Sequence, residues 1–121
     1  MKLHLAMLFV KDLDRMTTFY REGLGLALVP DESRPGWVVF EGGGTRFALH
    51  AVPPEVARDI EITEPPQQRC GTPIKLVFQT SEWKVDCARL AAMGATLLPP
   101  RGPASRDVLD PEGNVFHLTG A

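Results

Sequence analysis

The sequence predicts an α+β fold made of two tandem βαβββ units, and three observations carry that reading. The chain has 121 residues, enough for one domain or two very small halves sharing a core. It holds 11 Gly and 11 Pro, too much punctuation for a helical bundle and a sign of many turns and short strands. It also repeats itself at a spacing of 69 residues. At that shift Phe9 falls on Phe78, Gly25 on Gly94, Leu28 on Leu97 and Pro30 on Pro99. Val39 falls on Val108, Gly44 on Gly113, Phe47 on Phe116 and Leu49 on Leu118. These are 8 identities in 52 comparable positions without a gap, where composition alone gives about 3.

The elements follow in order. Lys2 to Val10 is almost continuously apolar and reads as a strand buried on both faces. Asp12 is a helix N-cap, and Leu13, Met16, Phe19, Tyr20 and Leu24 follow at helical spacing until Gly23 and Gly25 end the helix. Leu26 to Val29, Trp37 to Glu41 and Thr45 to Val52 are strands, the last two joined by Gly42-Gly43-Gly44. In the second unit Ile74 to Gln79 is a strand, and Thr80 or Ser81 caps a helix that ends at Gly94. Thr96 to Leu98 is a strand stopped by Pro99-Pro100. Arg106 to Asp110 and Asn114 to Thr119 flank the turn Asp110-Pro111-Glu112-Gly113. The division is thus 1–52, a Pro-rich linker over 53–69, and 70–121.

Composition excludes several classes. Hydrophobic residues make up 44%, enough for a packed core. A (β/α)₈ barrel needs about 250 residues. The 13 basic and 15 acidic residues form no basic patch, so nucleic acid is not an expected partner. The longest apolar run, Leu5 to Val10, is too short for a bilayer, and the first residues lack a secretory cleavage pattern. Cys70 and Cys87 have no metal-type spacing and read as reduced thiols of a cytoplasmic protein. Gly42-Gly43-Gly44 precedes a strand and lacks the helix N-terminus of a phosphate loop.

Three stretches carry a resemblance. They are Val10-Lys11-Asp12-Leu13, Phe19-Tyr20-Arg21-Glu22-Gly23-Leu24-Gly25-Leu26, and Asp110-Pro111-Glu112-Gly113-Asn114. Within two βαβββ units they resemble the vicinal oxygen chelate superfamily, which covers glyoxalase I, bleomycin-resistance proteins, extradiol dioxygenases and fosfomycin-resistance proteins. The resemblance implies a curved eight-stranded mixed sheet around a cleft, with the helices outside. In metal-using members it implies a clamp of His or Glu from the first and fourth strands of each unit. The matching positions here are Leu5, Ala48, Ile74 and His117, and only His117 can bind a metal. No cofactor is therefore expected. A divalent metal enters only through a displaced site at His50 and His117, with a third ligand such as Glu32 or Glu41.

Strand alternation places Arg46, Ala48 and His50, and likewise Val115, His117 and Thr119, on the cleft side. Leu5, Met7, Phe9, Ile74, Leu76 and Phe78 are expected to form its apolar floor. Trp37 can stack on a planar ligand or line a dimer surface. Arg46 can receive a carboxylate or phosphate, or else sit ion-paired on the rim. His117 is the candidate catalytic residue, as a general base or ligand contact, against a satisfied histidine that only bonds a neighbour.

The expected function is a metal-free small-molecule-binding protein of the bleomycin-resistance type, working as a homodimer. The alternatives are a lyase, isomerase or dioxygenase resembling glyoxalase I with the shifted site, and a subunit that completes a composite site with another chain.

Overall fold

The computed structural model describes residues 3–69 and 74–121. The chain divides into two compact units, Met1–Glu61 and Ile62–Ala121. Residues of the Pro-rich segment up to Glu61 thus pack with the first unit, and those from Ile62 with the second.

The first unit runs β1 (Leu5–Val10), α1 (Leu13–Thr18), β2 (Ala27–Leu28), β3 (Trp37–Glu41), β4 (Arg46–Ala51) and α2 (Pro54–Ala57). The strands form a mixed sheet in the order β1-β4-β3-β2, with β1 and β4 parallel. Asp12 caps α1 as expected, its Oδ1 accepting from Arg15 N at 3.0 Å. The helix does not continue regularly to Gly23: Phe19–Gly23 widens into a π-helical turn. Met16, Phe19 and Tyr20 are buried, and the Tyr20 ring lies 5.0 Å from that of Phe47. Phe40, Phe47 and Leu49 make the sheet's side of this core.

The second unit runs β5 (Leu76–Thr80), α3 (Trp83–Ala92), β6 (Thr96–Gly102), β7 (Ser105–Leu109) and β8 (Val115–Gly120). Its sheet order, β5-β8-β7-β6, repeats the first, again with the first and last strands parallel. The α+β fold of eight strands is present as these two four-stranded mixed sheets. No helix among the described residues is long and apolar enough to cross a membrane.

Three expectations need correction. Neither Thr80 nor Ser81 caps α3 from the N-cap position. The Thr80 hydroxyl accepts from Glu82 N at 2.9 Å and donates to Asp86, while Glu82 occupies the cap. The prolines do not stop β6, which runs through Pro99 and Pro100 to Gly102. It is the end strand of its sheet, and its pairing with β7 slips between Leu97 and Pro100 and again before Gly102. An end strand with bulges tolerates missing N–H donors.

The third correction concerns the repeat. Ala48 pairs with Met7 on one side and Val39 on the other in the first sheet, as His117 does with Val77 and Asp107 in the second. Ala48 and His117 are 69 apart, but Met7 and Val77 are 70 apart, and Val39 and Asp107 are 68 apart. The ungapped shift therefore holds for β4 and β8 and, by the pairing of Ala27 with Glu41 and of Thr96 with Leu109, for β2 and β6, but fails for β1 and β5 and for β3 and β7. A one-residue slip moves a side chain to the other face of its sheet. Phe78 accordingly pairs with Leu118 and meets Phe116 edge-on at 5.4 Å, on the face where those two residues are buried.

Candidate functional site

In the first unit, the sheet face opposite α1 carries Leu5, Met7 and Phe9 from β1, Arg46, Ala48 and His50 from β4, and Trp37, Val39 and Glu41 from β3. The structure thus brings together the expected residues of this unit. Met7 and Phe9 are 40% and 52% exposed. His50 lies between two rings, with centroids 5.4 Å from Phe9 and 5.5 Å from Trp37. The Arg34 guanidinium stands 5.1 Å from the Trp37 ring centre, a favourable cation–π contact.

Arg46 is not poised for an anion. Its Nε donates to Glu32 Oε2 at 2.7 Å and its Nη1 to Glu41 Oε2. Two carboxylates compensate one guanidinium, so the rim reading of Arg46 is the one the geometry supports. Glu41 also accepts from Gly44 N, which ties the pair to the turn before β4.

In the second unit, the face that carries His117 is built from other residues than expected. Val77 on β5 and Asp107 on β7 are its register partners. Phe78 and, by the same alternation, Leu76 lie on the opposite face, where Phe116 and Leu118 are buried, so neither belongs to a floor beneath His117. Ile74 precedes β5 and is 71% exposed. With the corrected spacing, the position matching Leu5 is Lys75 and not Ile74.

His117 is fixed at both ring nitrogens. Nδ1 lies 2.7 Å from Asp107 Oδ1, and Nε2 lies 3.1 Å from Ser105 Oγ. Asp107 Oδ2 accepts from Lys75 Nζ at 2.8 Å and from Arg101 Nη2 at 2.9 Å. The Asp107 side chain is 7% exposed. Burial alone would raise its pKa, but hydrogen bonds from Lys75 and His117 and the charges of Lys75 and Arg101 outweigh burial and hold it below the usual carboxylate value. A carboxylate kept ionised only accepts, so Nδ1 carries the imidazole proton, and in the neutral ring Nε2 accepts from the Ser105 hydroxyl.

A metal clamp does not fit these residues. Its four positions now read Leu5, Ala48, Lys75 and His117: two apolar side chains, an ammonium, and an imidazole engaged at both nitrogens. Among the described residues no three His, Cys, Asp or Glu side chains are grouped so as to hold an ion. The displaced site fares no better, since His50 is flanked by rings and Glu32 and Glu41 are taken by Arg46. Cys87 is a buried free thiol whose pKa burial pushes up, and Cys70 lies outside the described residues.

Sequence reasoning missed Ser105, Asp107, Lys75 and Arg101. A signal for two of them was present. Counting outward from the Asp110–Asn114 turn puts Asp107 opposite His117, and alternation puts Ser105 on the same face.

Paired βαβββ units with a histidine on the last strand define a protein of the glyoxalase kind. The sequence profile of the glyoxalase-like domain matches residues 5–119, and the chain belongs to that family. Solved structures agree. A glyoxalase/bleomycin resistance protein/dioxygenase family enzyme from Burkholderia phytofirmans PsJN is 21% identical, with a TM-score of 0.75 over 99% of this chain and 98% of that one. The fosfomycin resistance protein FosX of Listeria monocytogenes, solved with Mn(II) and sulfate, is 19% identical, with a TM-score of 0.73 over 99% and 90% of the two chains. A protein of unknown function from Agrobacterium tumefaciens str. C58 is 25% identical, with a TM-score of 0.70 over 100% and 94%. At these identities the likeness is one of fold. No curated protein sequence matches the chain significantly.

Proposed function

We propose that the chain binds a planar aromatic small molecule on the β1-β4-β3 face of its first unit, without a resident metal. The observation that carries this is the row of rings Phe9, His50 and Trp37, with Phe9 52% exposed at its edge. Exposed aromatic surface beside Met7 favours stacking and apolar contact, the usual lining of a small-molecule site. The apolar side chains at Leu5 and Ala48 and the ammonium of Lys75 support the metal-free part of the reading. The same proposal takes the working form to be a homodimer in the cytoplasm. Among the described residues the end strands of each sheet pair within it on one side only, and β1 and β5 expose Phe9 and Val77.

The test uses 8-anilinonaphthalene-1-sulfonate as the probe, in a Trp83→Phe background so that Trp37 reports alone. Saturable binding at a fixed stoichiometry, with quenching of Trp37 and at least about a tenfold loss of affinity in Phe9→Ala (roughly 1.4 kcal/mol), supports it. Binding that Phe9→Ala and Trp37→Leu leave unchanged contradicts it.

A further inference from the structure

The polar chain on the second sheet goes beyond ligand binding and stands without it. Ser105, His117 and Asp107 are linked in series, Oγ to Nε2 at 3.1 Å and Nδ1 to Oδ1 at 2.7 Å. The geometry points to Ser105 as a base-activated nucleophile, with His117 as its general base and Asp107 as a positioning residue, acting on an ester or thioester that carries a negative charge.

Each group suits its part. A serine hydroxyl is a weak nucleophile until a neighbouring base takes its proton. His117 Nε2 is within reach of that proton, and the Asp107 bond to Nδ1 fixes the tautomer that leaves Nε2 free to accept it. Asp107 itself cannot turn away, because Lys75 and Arg101 hold its other oxygen. Ser105 is the first residue of β7, half-buried, directly after the Pro103-Ala104 turn, so a substrate approaches it from the end of the hairpin. Lys75 and Arg101 side chains are 38% and 65% exposed, and one carboxylate offsets only one of their two charges. The remaining charge favours an anionic acyl group.

The step balances without a cofactor. Ser105 Oγ bonds to the acyl carbon as His117 Nε2 takes the hydroxyl proton. The ester or thioester bond breaks, and the leaving oxygen or sulfur takes that proton from His117. Water then adds to acyl-Ser105 with His117 as base, releasing the carboxylic acid and returning the hydroxyl.

The experiment treats the full chain with p-nitrophenyl acetate and with the anionic mono-p-nitrophenyl ester of succinic acid. The expected result is a burst of p-nitrophenol, an acyl group mapped by mass spectrometry to Ser105, and faster acylation by the anionic ester. Ser105→Ala abolishes the burst and His117→Gln slows it by about 100-fold or more. Asp107→Asn slows acylation and changes its pH profile, and Asp107→Glu recovers part of the rate, which a purely structural role would not do. Acyl groups found only on lysines, or a burst that survives in folded Ser105→Ala, overturns the proposal. Mapping on the wild-type chain decides the matter even where a variant fails to fold.

Discussion

Asp107 faces His117 across β7 and β8, with 2.7 Å between carboxylate and imidazole, and neither residue has a spare polar atom. The last-strand histidine of this fold is here the centre of a hydrogen-bonded chain. Its carboxylate partner is tied to two cations from β6 and from the residue before β5. The second unit therefore satisfies its site internally with protein charges.

Acid should release this arrangement. Asp107 has a lower pKa folded than unfolded, with the lowering contacts outweighing the opposing effect of burial. Such a group contributes stability that is fully present above the unfolded value, about 3.9, and is lost as pH falls through the folded value. Urea unfolding should show wild type more stable than Asp107→Asn by about 1–3 kcal/mol at neutral pH. The difference should shrink steadily below about pH 4. A difference that stays constant with pH would place the effect elsewhere than in this carboxylate.

Much of the fold was legible because its punctuation is chemical. Asp12 caps α1, and the Asp110–Asn114 turn forms as read, with Asp110 Oδ1 accepting from Glu112 N and Asn114 N at 2.9 Å each. What was not legible is register. An ungapped repeat cannot show that β5 is displaced by one residue relative to β8, and that single step separates Phe78 from the His117 face and brings Lys75 to it. Arg46 shares a sheet face with Ala48 and His50, but its charge partners depend on Glu32 reaching back from a 3₁₀ turn that sequence spacing does not reveal.

The register slip itself is testable on β5. Val77 is 62% exposed, whereas Phe78 packs on Phe116. Phe78→Ala should cost about 2–4 kcal/mol and Val77→Thr less than about 0.5 kcal/mol, as read from denaturation midpoints. Equal costs would return β5 to the unslipped register.

Gly113 should tolerate no side chain. Its φ is +84°, and a Cβ there would lie 1.9 Å from the Gln67 carbonyl oxygen. Left-handed backbone alone costs an L-residue about 1–2 kcal/mol, and the clash adds to it. Gly113→Ala should lower stability by more than about 2 kcal/mol. It should also expose the 62–69 segment, whose Arg69 N bonds to Gly113 O, to faster hydrogen exchange.

Arg46 should matter little to stability. Its side chain is 34% exposed and its two carboxylate partners are 42% and 35% exposed, so solvent screens both pairs. Arg46→Gln should cost less than about 1 kcal/mol, against about 3–5 kcal/mol for Phe47→Ala in the core beneath it. Phosphate titration should show the same weak response in wild type and Arg46→Gln.

On the proposed reading, this chain keeps the glyoxalase-like fold while its own side chains replace the metal clamp. Elemental analysis of protein purified without chelator tests it most directly. The expected result is well below one transition-metal ion per chain, and the same content in wild type and His117→Ala. A stoichiometric metal that disappears in His117→Ala would contradict it.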